Sequence, residues 1–346
     1  MTDKTSENYG KGEHELEADA VILESAADFA ARLKAHFTSP GYTPPLLPAV
    51  AMQVQQLSTR ADVDIPALVA VMEKDPMFAA RVLKIAQSAA FASAGSISSL
   101  RDAVVRIGLR NLTDIAWEVA MNMRIFRSQA YAQPMESVRR HSTACAHLCR
   151  MLSSVTGISS EYAFLCGLLH DIGMASSLVV LGEQQGPAPL DPMLLGMILR
   201  RCHQEASMVI GTLWKLPGDV QLVLGHHHEV MVQGFVHPLA AVVAVAEQLA
   251  RELGFGVPLG GSDCDNTEEL TLARARDALK LDKAGLDRVR EEAKKLAANF
   301  DRGGTGGDVI APQKPASAAN RATGTHAAVR TTGTMTAFAG KPPVKR

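Results

Sequence analysis

The stretch GLLHDIGM, residues 167–174, sets an imidazole and a carboxylate side by side in a run that is otherwise apolar. A buried imidazole or carboxylate without a partner is costly, so such groups meet each other, a metal ion or the backbone. Neighbouring side chains on a helix diverge by about 100°, yet an ion beside the helix can be reached by both His170 and Asp171. The pair therefore indicates a metal site, or the remnant of one, in a helical core.

Similar polar residues interrupt four other segments that have the apolar periodicity of core helices. Imidazole nitrogens and carboxylates are the ligands that divalent iron, manganese and zinc accept, and a carboxylate can bridge two ions. Two ions about 3.5 to 4 Å apart would bind a phosphoryl group and activate a water molecule. The candidate ligands are His141, His170, Asp171, His203, His227, His228 and Glu247.

Each candidate also has a simpler interpretation. A single histidine on an apolar helix face, such as His141 or His203, is often a core residue bonded to a carbonyl group. The run from His226 to His228 fits a solvated helix end, where imidazolium interacts well with the helix dipole. Glu247 fits one half of a buried ion pair. His147, six positions after His141, is predicted to point away from the candidate site into solvent.

The helix signals predict an all-α fold with almost no strand. Asp64 is placed to cap a helix, Asp75-Pro76 ends that helix and opens another, and Ser99 begins a capping pattern before a helix that Gly108 ends. From these signals we predict a flexible segment at 1–20, a helical packing or docking block at 22–130, a histidine-rich helical part at 131–255, closing helices at 256–300 and a disordered tail at 303–346.

The composition limits the partners. The net charge of −1 gives no electrostatic basis for binding nucleic acid or an anionic membrane. No apolar stretch is expected to reach the roughly 20 residues of a membrane span, and the N-terminus lacks the apolar core of a secretion signal. An odd number of cysteines in apolar patterns predicts reduced core thiols and a cytoplasmic location. These cysteines are Cys145, Cys149, Cys166, Cys202 and Cys264.

The chain from about 44 to 253 resembles the HDOD domain of bacterial signalling proteins. The resemblance is carried by PPLLPAV (44–50), MEKDPMFAARVLKIAQSAAF (72–91), SISSLRDAVVRIGLRNL (96–112), AFLCGLLHDIG (163–173) and HPLAAVVAVAEQLA (237–250). It implies a helical subdomain packed on a modified HD subdomain, and a regulatory role in which catalysis has been lost. The ordered candidate set also resembles the ligands of HD-superfamily metal-dependent phosphohydrolases, including the HD-GYP branch. This likeness puts His141, His170, Asp171, His203, His227 and His228 at ligand positions.

Three departures from the HD-GYP pattern argue against catalysis. Met174 stands where active members carry a lysine, and a thioether cannot donate to a phosphate. The segment VMVQGFVHP, residues 230–238, lacks the GYP loop. Glu247 stands where the last ligand is typically aspartate, and its extra methylene displaces the carboxylate oxygens.

Two hypotheses follow. The first is a cytosolic bacterial signalling protein that acts through protein contacts and holds a partly retained divalent-metal site. The second is a metal-dependent phosphohydrolase acting on a nucleotide or another phosphoester. The pattern specifies neither the partner nor the oligomeric state.

Overall fold

A computed structural model shows a chain built almost wholly of helices. The structure describes residues 23–301, apart from 46–48, 59, 61, 89–90, 92–96, 98, 123–127, 159–161, 186–187, 233 and 259–265. The predicted flexible segment at 1–20, the predicted disordered tail at 303–346 and Cys264 lie outside the described residues.

The N-terminal helices begin and end at the predicted capping residues. The side chains of Asp64, Asp75 and Ser99 each accept a hydrogen bond of 3.1 Å from the backbone N–H three residues on. Gly108 ends its helix with a φ of 80°, which suits a residue without a Cβ. The helices are α1 (23–37), α2 (Ala49–Ser58), α3 (Ile65–Met72), α4 (Pro76–Ala86), α5 (Leu100–Ile107) and α6 (Leu109–Asn122).

The second half winds around one long helix, α7 (Ala132–Thr156), which packs against α8, α9, α12 and α14. A short antiparallel hairpin pairs Met231 with Val236 and Val232 with Phe235. The remaining elements are α8 (Ala163–Leu169), α9 (Ile172–Gln185), α10 (Pro192–Leu213), α11 (Gly218–His226), β1 (Met231–Val232), β2 (Phe235–Val236), α12 (Pro238–Glu252), α13 (Asn266–Ala278) and α14 (Lys283–Asp301).

The two halves share packing contacts, because α6 lies against α2 on one side and against α7 and α8 on the other. All described residues belong to one compact unit. The boundary that the sequence places near residue 130 therefore stays a prediction. The four described cysteines are buried free thiols, as the sequence predicted.

In the sequence, Gly173 fits the C-terminal stop of the helix that carries Cys166 and His170, and this prediction is wrong. That helix ends at Leu169, His170 and Asp171 form a two-residue turn, and Gly173 lies in the first turn of α9. A Cβ on Gly173 would lie 2.1 Å from the carbonyl oxygen of His203. Glycine is therefore needed at this position because α9 approaches the backbone of α10.

The expectation that no apolar stretch reaches membrane-spanning length is also wrong. The segment Ala163–Gln184 has 22 residues and a mean hydropathy of 1.8 in its most apolar window. That window is 94% buried inside the protein. The segment corresponds to α8, the turn and most of α9, and burial in the protein core accounts for its apolar composition.

His147 is buried rather than solvated, contrary to the prediction. Its ring packs edge-on against Phe164 with the ring centroids 5.2 Å apart, and its Nε2 lies 3.5 Å from Glu118 Oε2. Helices α6 and α8 cover this face of α7. The N-terminal block also contributes buried polar side chains that sequence analysis did not single out, namely Asn111, Asp114 and Glu118.

Candidate metal centre

The seven candidate ligands converge on one interior position from five parts of the fold. Helix α7 supplies His141, α10 supplies His203 and α12 supplies Glu247. His170 and Asp171 come from the turn between α8 and α9, and His227 and His228 follow the end of α11. All of these side chains are buried except His228, whose side chain is 46% exposed. The centre is therefore a core feature with one ligand toward solvent.

The first half of the centre is formed by His141 and His170. Their Nε2 atoms are 3.2 Å apart. Asp171 Oδ2 lies 3.6 Å from His141 Nε2 and 3.3 Å from His170 Nε2. Glu247 Oε1 lies 3.7 Å from His170 Nε2. Two imidazoles and two carboxylates thus face one small volume.

The second half is formed by three imidazoles. His203 Nε2 lies 3.3 Å from His227 Nε2 and 3.0 Å from His228 Nε2. Asp171 Oδ1 lies 3.7 Å from His203 Nε2 and 3.5 Å from His227 Nε2. Glu247 Oε2 lies 3.7 Å from His228 Nδ1.

The two carboxylates connect the halves. Each oxygen of Asp171 faces a different pair of imidazoles. Glu247 directs Oε1 at His170 in the first half and Oε2 at His228 in the second half. Asp171 Oδ1 and Glu247 Oε1 are buried and have no hydrogen-bond partner among the described residues. Buried carboxylate oxygens without donors call for a compensating cation.

Four of the histidines are oriented by the backbone. Each directs Nδ1 at a carbonyl oxygen, which only accepts, so Nδ1 carries a proton and Nε2 faces the centre, where it presents a lone pair whenever the ring is neutral. Metal-binding histidines are commonly oriented in this way. The pairs are His141 with Phe255 at 2.9 Å, His170 with Gly167 at 2.9 Å, His203 with Leu199 at 2.9 Å and His227 with Leu224 at 3.2 Å.

The separations between nitrogens suit shared metal ions. Two nitrogens each about 2.1 Å from one ion lie about 3 to 3.4 Å apart at ordinary coordination angles. The pairs His141–His170 and His203–His227 are 3.2 and 3.3 Å apart. Burial keeps the rings of His203 and His227 neutral, and two lone pairs at this distance repel each other unless a cation lies between them. The donor set therefore fits two divalent ions.

The pKa values describe the same centre without metal. Burial lowers the pKa of His141, His203 and His227, which keeps these rings neutral. Burial acts in the same direction on His170, but the charge of Asp171 outweighs it and raises the pKa of His170 to about 9. Burial likewise opposes ionisation of Asp171, yet His170 holds its pKa well below the ordinary value. A bound ion would displace the proton of His170.

Burial also raises the pKa of Glu247. Beside Asp171 a cavity of about 40 Å³ opens between α6, α7 and α9, and Arg139 and Ser142 are among its lining residues. A space of this size holds about two or three water molecules. The space beside the carboxylate that connects the two halves is therefore large enough for water.

Sequence reasoning missed two residues of this site. Cys145 was assigned to the core, but its Sγ lies 3.5 Å from His141 Nε2. The signal was present in the spacing, because residues i and i+4 share one helix face. Ser207 on α10 donates to the carbonyl oxygen of His170 and accepts from the N–H of Gly173, and no local pattern indicates this contact.

Comparison with known proteins identifies the family. The model of the HDOD domain matches residues 45–230, which is more than half of the chain. The chain belongs to the HDOD family. The fold that the HDOD resemblance implied is confirmed.

Two solved structures have the HDOD-like architecture of this chain. One is a Shewanella amazonensis SB2B protein provisionally assigned as a metal-dependent phosphohydrolase, with a TM-score of 0.60 and 21% identity over 79% of this chain and 99% of that one. The other is an HDOD domain protein of unknown function from Geobacter sulfurreducens, with a TM-score of 0.57 and 20% identity over 81% of this chain and 98% of that one. These identities show the shared fold alone.

Two curated relatives also match the HDOD chain. An uncharacterized protein of Treponema pallidum (strain Nichols) is 25% identical over 62% of this chain and 43% of its own length. Ribonuclease Y of Rhodopirellula baltica is 28% identical over 37% of this chain and 20% of its own length. The chain therefore spans less than half the length of the curated relatives it matches.

Proposed function

We propose that this chain is a regulatory HDOD protein of the bacterial cytoplasm, which holds two divalent metal ions and acts through contacts with protein partners. The proposed binding of two metal ions rests on the position of Asp171, whose two oxygens face separate groups of imidazoles. A carboxylate in this position is the usual bridge between paired ions. The surrounding Nε2 atoms are already oriented inward by backbone carbonyl groups.

The residues suit iron, manganese or zinc, since all three accept imidazole and carboxylate ligands. His141 and His170 would hold one ion, and His203, His227 and His228 the other, with Asp171 shared. Glu247 would contribute to the first ion through Oε1. Bound ions would supply the positive charge that the buried carboxylates lack.

Two features favour regulation over catalysis. Met174 is a buried thioether on α9, where the resemblance leads one to expect a lysine. A phosphate-binding charge is worth a few kcal/mol of transition-state stabilisation in enzymes that possess one. The segment after His228 forms a short hairpin whose second strand begins at Phe235, and its sequence lacks a GYP loop.

Contacts with proteins are supported by large apolar side chains on the surface. Val105 on α5 is 63% exposed and Phe235 on the hairpin is 79% exposed. Exposed apolar and aromatic groups are the residues that protein interfaces bury. Val105 belongs to the N-terminal block, for which the sequence predicted packing or docking.

A metal-dependent phosphohydrolase is the second candidate, and the completeness of the donor set favours it. Divalent ions would act as Lewis acids toward a phosphoester and activate a water molecule. Asp171 would hold both ions, and His228, the exposed ligand, marks the side from which a substrate would enter. This candidate requires metal-dependent release of product that disappears in Asp171→Asn.

Elemental analysis tests the metal centre. The full chain, purified without a histidine tag, is reconstituted anaerobically with iron, manganese or zinc, and the bound metal is counted. We expect up to two equivalents of a divalent ion. Less than about a tenth of an equivalent under every condition would exclude the site.

A further inference from the structure

The cavity beside Asp171 has two kinds of lining. Its volume is about 40 Å³, which is enough for two or three water-sized groups. Its polar lining comes from Asp171, Arg139 and two hydroxyl groups of α7. Its apolar lining comes from α6, α7, α8 and α9 and consists of Met121, Met135, Val138, Leu168, Ile172 and Ala175. The cavity therefore suits a small molecule that has one polar end and an apolar remainder.

The polar lining residues differ in what they can offer a ligand. Thr143 Oγ1 already donates a 2.9 Å hydrogen bond to the carbonyl oxygen of Arg139. Arg139 Nε donates a 2.7 Å hydrogen bond to a carboxylate one turn earlier on α7. Ser142 is buried and follows the candidate ligand His141 along the chain, so its hydroxyl group is the donor best placed beside the metal centre. Asp171 is negative, so the cavity of the metal-free protein repels an anion.

Metal binding reverses the charge beside the cavity. Imidazole binds a metal ion in its neutral form, so Asp171 and Glu247 carry the only negative charges among the candidate ligands. Two divalent ions carry four positive charges, which leaves two of them without compensation from the ligands. Buried charge without compensation is costly. The loaded centre therefore calls for anions from outside the chain, and the cavity provides a space beside Asp171 for one of them.

We propose that this cavity binds a short-chain monocarboxylate, of the size of acetate or propionate, when the centre holds metal. The inference rests on the proposed metal centre and goes beyond it by assigning a ligand to which a regulatory protein can respond. The carboxylate offsets the excess positive charge and accepts a hydrogen bond from the hydroxyl group of Ser142. The alkyl end packs against the apolar lining of the cavity.

The size and the lining of the cavity favour this class of ligand. Inorganic phosphate carries oxygens on all sides, and several of them would face apolar side chains without a donor, which is costly. A monocarboxylate has its charge at one end, and each buried methylene of its chain raises the affinity about three- to fourfold. The small volume limits the alkyl end to about one or two carbons. The ligand enters past Met121 and Met135, which are half-buried and have flexible side chains.

Isothermal titration calorimetry tests the proposal on the full chain, loaded with zinc in a buffer free of carboxylates and phosphate. We expect propionate to bind with a dissociation constant in about the millimolar range or tighter, and about three- to fourfold more tightly than acetate. The metal-free chain should bind propionate at least about tenfold more weakly, because Asp171 then repels it. Ala175→Leu fills the cavity and should weaken binding at least about tenfold at unchanged zinc content. Ala132→Leu, the same enlargement at an exposed position of α7, should bind propionate like the wild type.

Methionine methyl NMR locates the ligand in the wild type and does not depend on the folding of Ala175→Leu. The zinc-loaded chain is labelled with ¹³C in its methionine methyl groups and titrated with propionate. We expect the resonances of Met121 and Met135 to shift, because both side chains line the cavity. Met193, which is 48% exposed on α10, is the control whose resonance should stay in place.

The outcomes separate this proposal from that of the metal centre, because zinc is counted independently by elemental analysis. A zinc-loaded wild type that shows neither propionate binding nor methyl shifts overturns the ligand and leaves the metal centre intact. Equal binding to the metal-free chain, or shifts that spare Met121 and Met135, overturns the assignment of the cavity. Phosphate that shifts the same two methyl groups and displaces propionate overturns the choice of a monocarboxylate. A wild type that binds no metal overturns both proposals.

Discussion

The hydroxyl group of Ser207 on α10 donates a hydrogen bond of 2.8 Å to the carbonyl oxygen of His170. The hydroxyl oxygen of Ser207 in turn accepts a 2.9 Å hydrogen bond from the N–H of Gly173 at the start of α9. One buried side chain thus satisfies a carbonyl group and an N–H group at the turn that interrupts the α8–α9 segment. This contact holds His170 and Asp171 in the geometry that directs both side chains into the centre.

The first prediction concerns this contact. Ser207→Ala leaves two buried backbone groups without their partner, so we expect a loss of about 1–3 kcal/mol in the free energy of unfolding. Because the turn orients two ligands, metal affinity should fall about 10- to 100-fold. Urea denaturation and chelator competition measure the two effects. Ser137→Ala is the control, since Ser137 is bonded only within its own exposed helical turn. Unchanged metal affinity in Ser207→Ala would refute the orienting role.

The second prediction concerns Asp171. Asp171→Asn keeps the shape of the side chain but removes the charge shared between the two halves. We expect the bound metal to fall from up to two equivalents to a small fraction, measured by elemental analysis after reconstitution. Asp287→Asn on α14, where the aspartate forms an exposed pair with Arg290, should bind metal like the wild type.

The same pair of proteins separates regulation from catalysis. Under the regulatory proposal, wild type and Asp171→Asn release equal background product from a panel of phosphoesters. Release that depends on manganese or iron and is abolished by Asp171→Asn would replace the regulatory proposal with the phosphohydrolase candidate.

The third prediction is a pH dependence of the metal-free protein. The pKa of His170 is raised from 6.5 to about 9 on folding, so its contribution to stability is complete below pH 6.5 and is lost as the pH rises toward 9. The upper limit is about 3 kcal/mol, from about 1.4 kcal/mol for each pH unit. Urea denaturation in chelator should therefore show a declining free energy of unfolding over this interval.

A matched variant isolates this effect. Burial raises the pKa of the core thiols well above the ordinary value, so ionisation of unfolded cysteines also destabilises the protein at high pH. His170→Gln retains that contribution and lacks the imidazole. The difference between wild type and variant should shrink from pH 6.5 to 9. A constant difference would show that His170 does not hold a proton in the metal-free fold.

The helical fold and the candidate ligands are within reach of sequence reasoning, because both depend on local periodicity. His141, His203 and Glu247 interrupt stripes whose other members are apolar, and this contrast is visible without coordinates. Helix starts at Asp64 and Ser99 depend on hydrogen bonds that span three residues, which the sequence displays directly.

The turn at His170 and Asp171, and the buried polar contacts between α6 and α7, cannot be predicted from local periodicity. The turn at His170 depends on Ser207, which is 37 residues away, and the local pattern predicts that the helix continues past His170 to Gly173. His147 points away from the ligand stripe of α7, and only the packing of α6 shows that this second face is also covered. Long-range helix contacts of this kind have no periodic signature.

The fourth prediction concerns the polar contacts between α6 and α7. Arg150 forms a buried ion pair with Asp114 and donates a 2.7 Å hydrogen bond to Asn111 Oδ1. Removing one partner of a buried ion pair leaves an uncompensated charge, so Asp114→Ala should cost about 3–5 kcal/mol in the free energy of unfolding. The control is Glu136→Ala, which breaks an exposed pair with Arg139 and should cost less than about 1 kcal/mol. If Asp114→Ala and Glu136→Ala lose the same free energy of unfolding in urea denaturation, the buried pair does not join the two halves.

The fifth prediction concerns the surface that binds a partner. Val105 is 63% exposed on α5, so Val105→Asp should leave the free energy of unfolding within about 0.5 kcal/mol of the wild type. If the N-terminal helices between 64 and 120 dock the partner, a charge there has to be desolvated in the interface, and recovery of that partner from the native cell should fall at least about fivefold. Recovery is measured by quantitative mass spectrometry on the immobilised full chain. Phe235→Asp carries the same charge on the hairpin, and Asp171→Ala alters the metal centre, so both should retain the partner. Loss of the partner with Phe235→Asp but not with Val105→Asp would move the contact to the hairpin, and wild-type recovery with both would contradict docking through either surface.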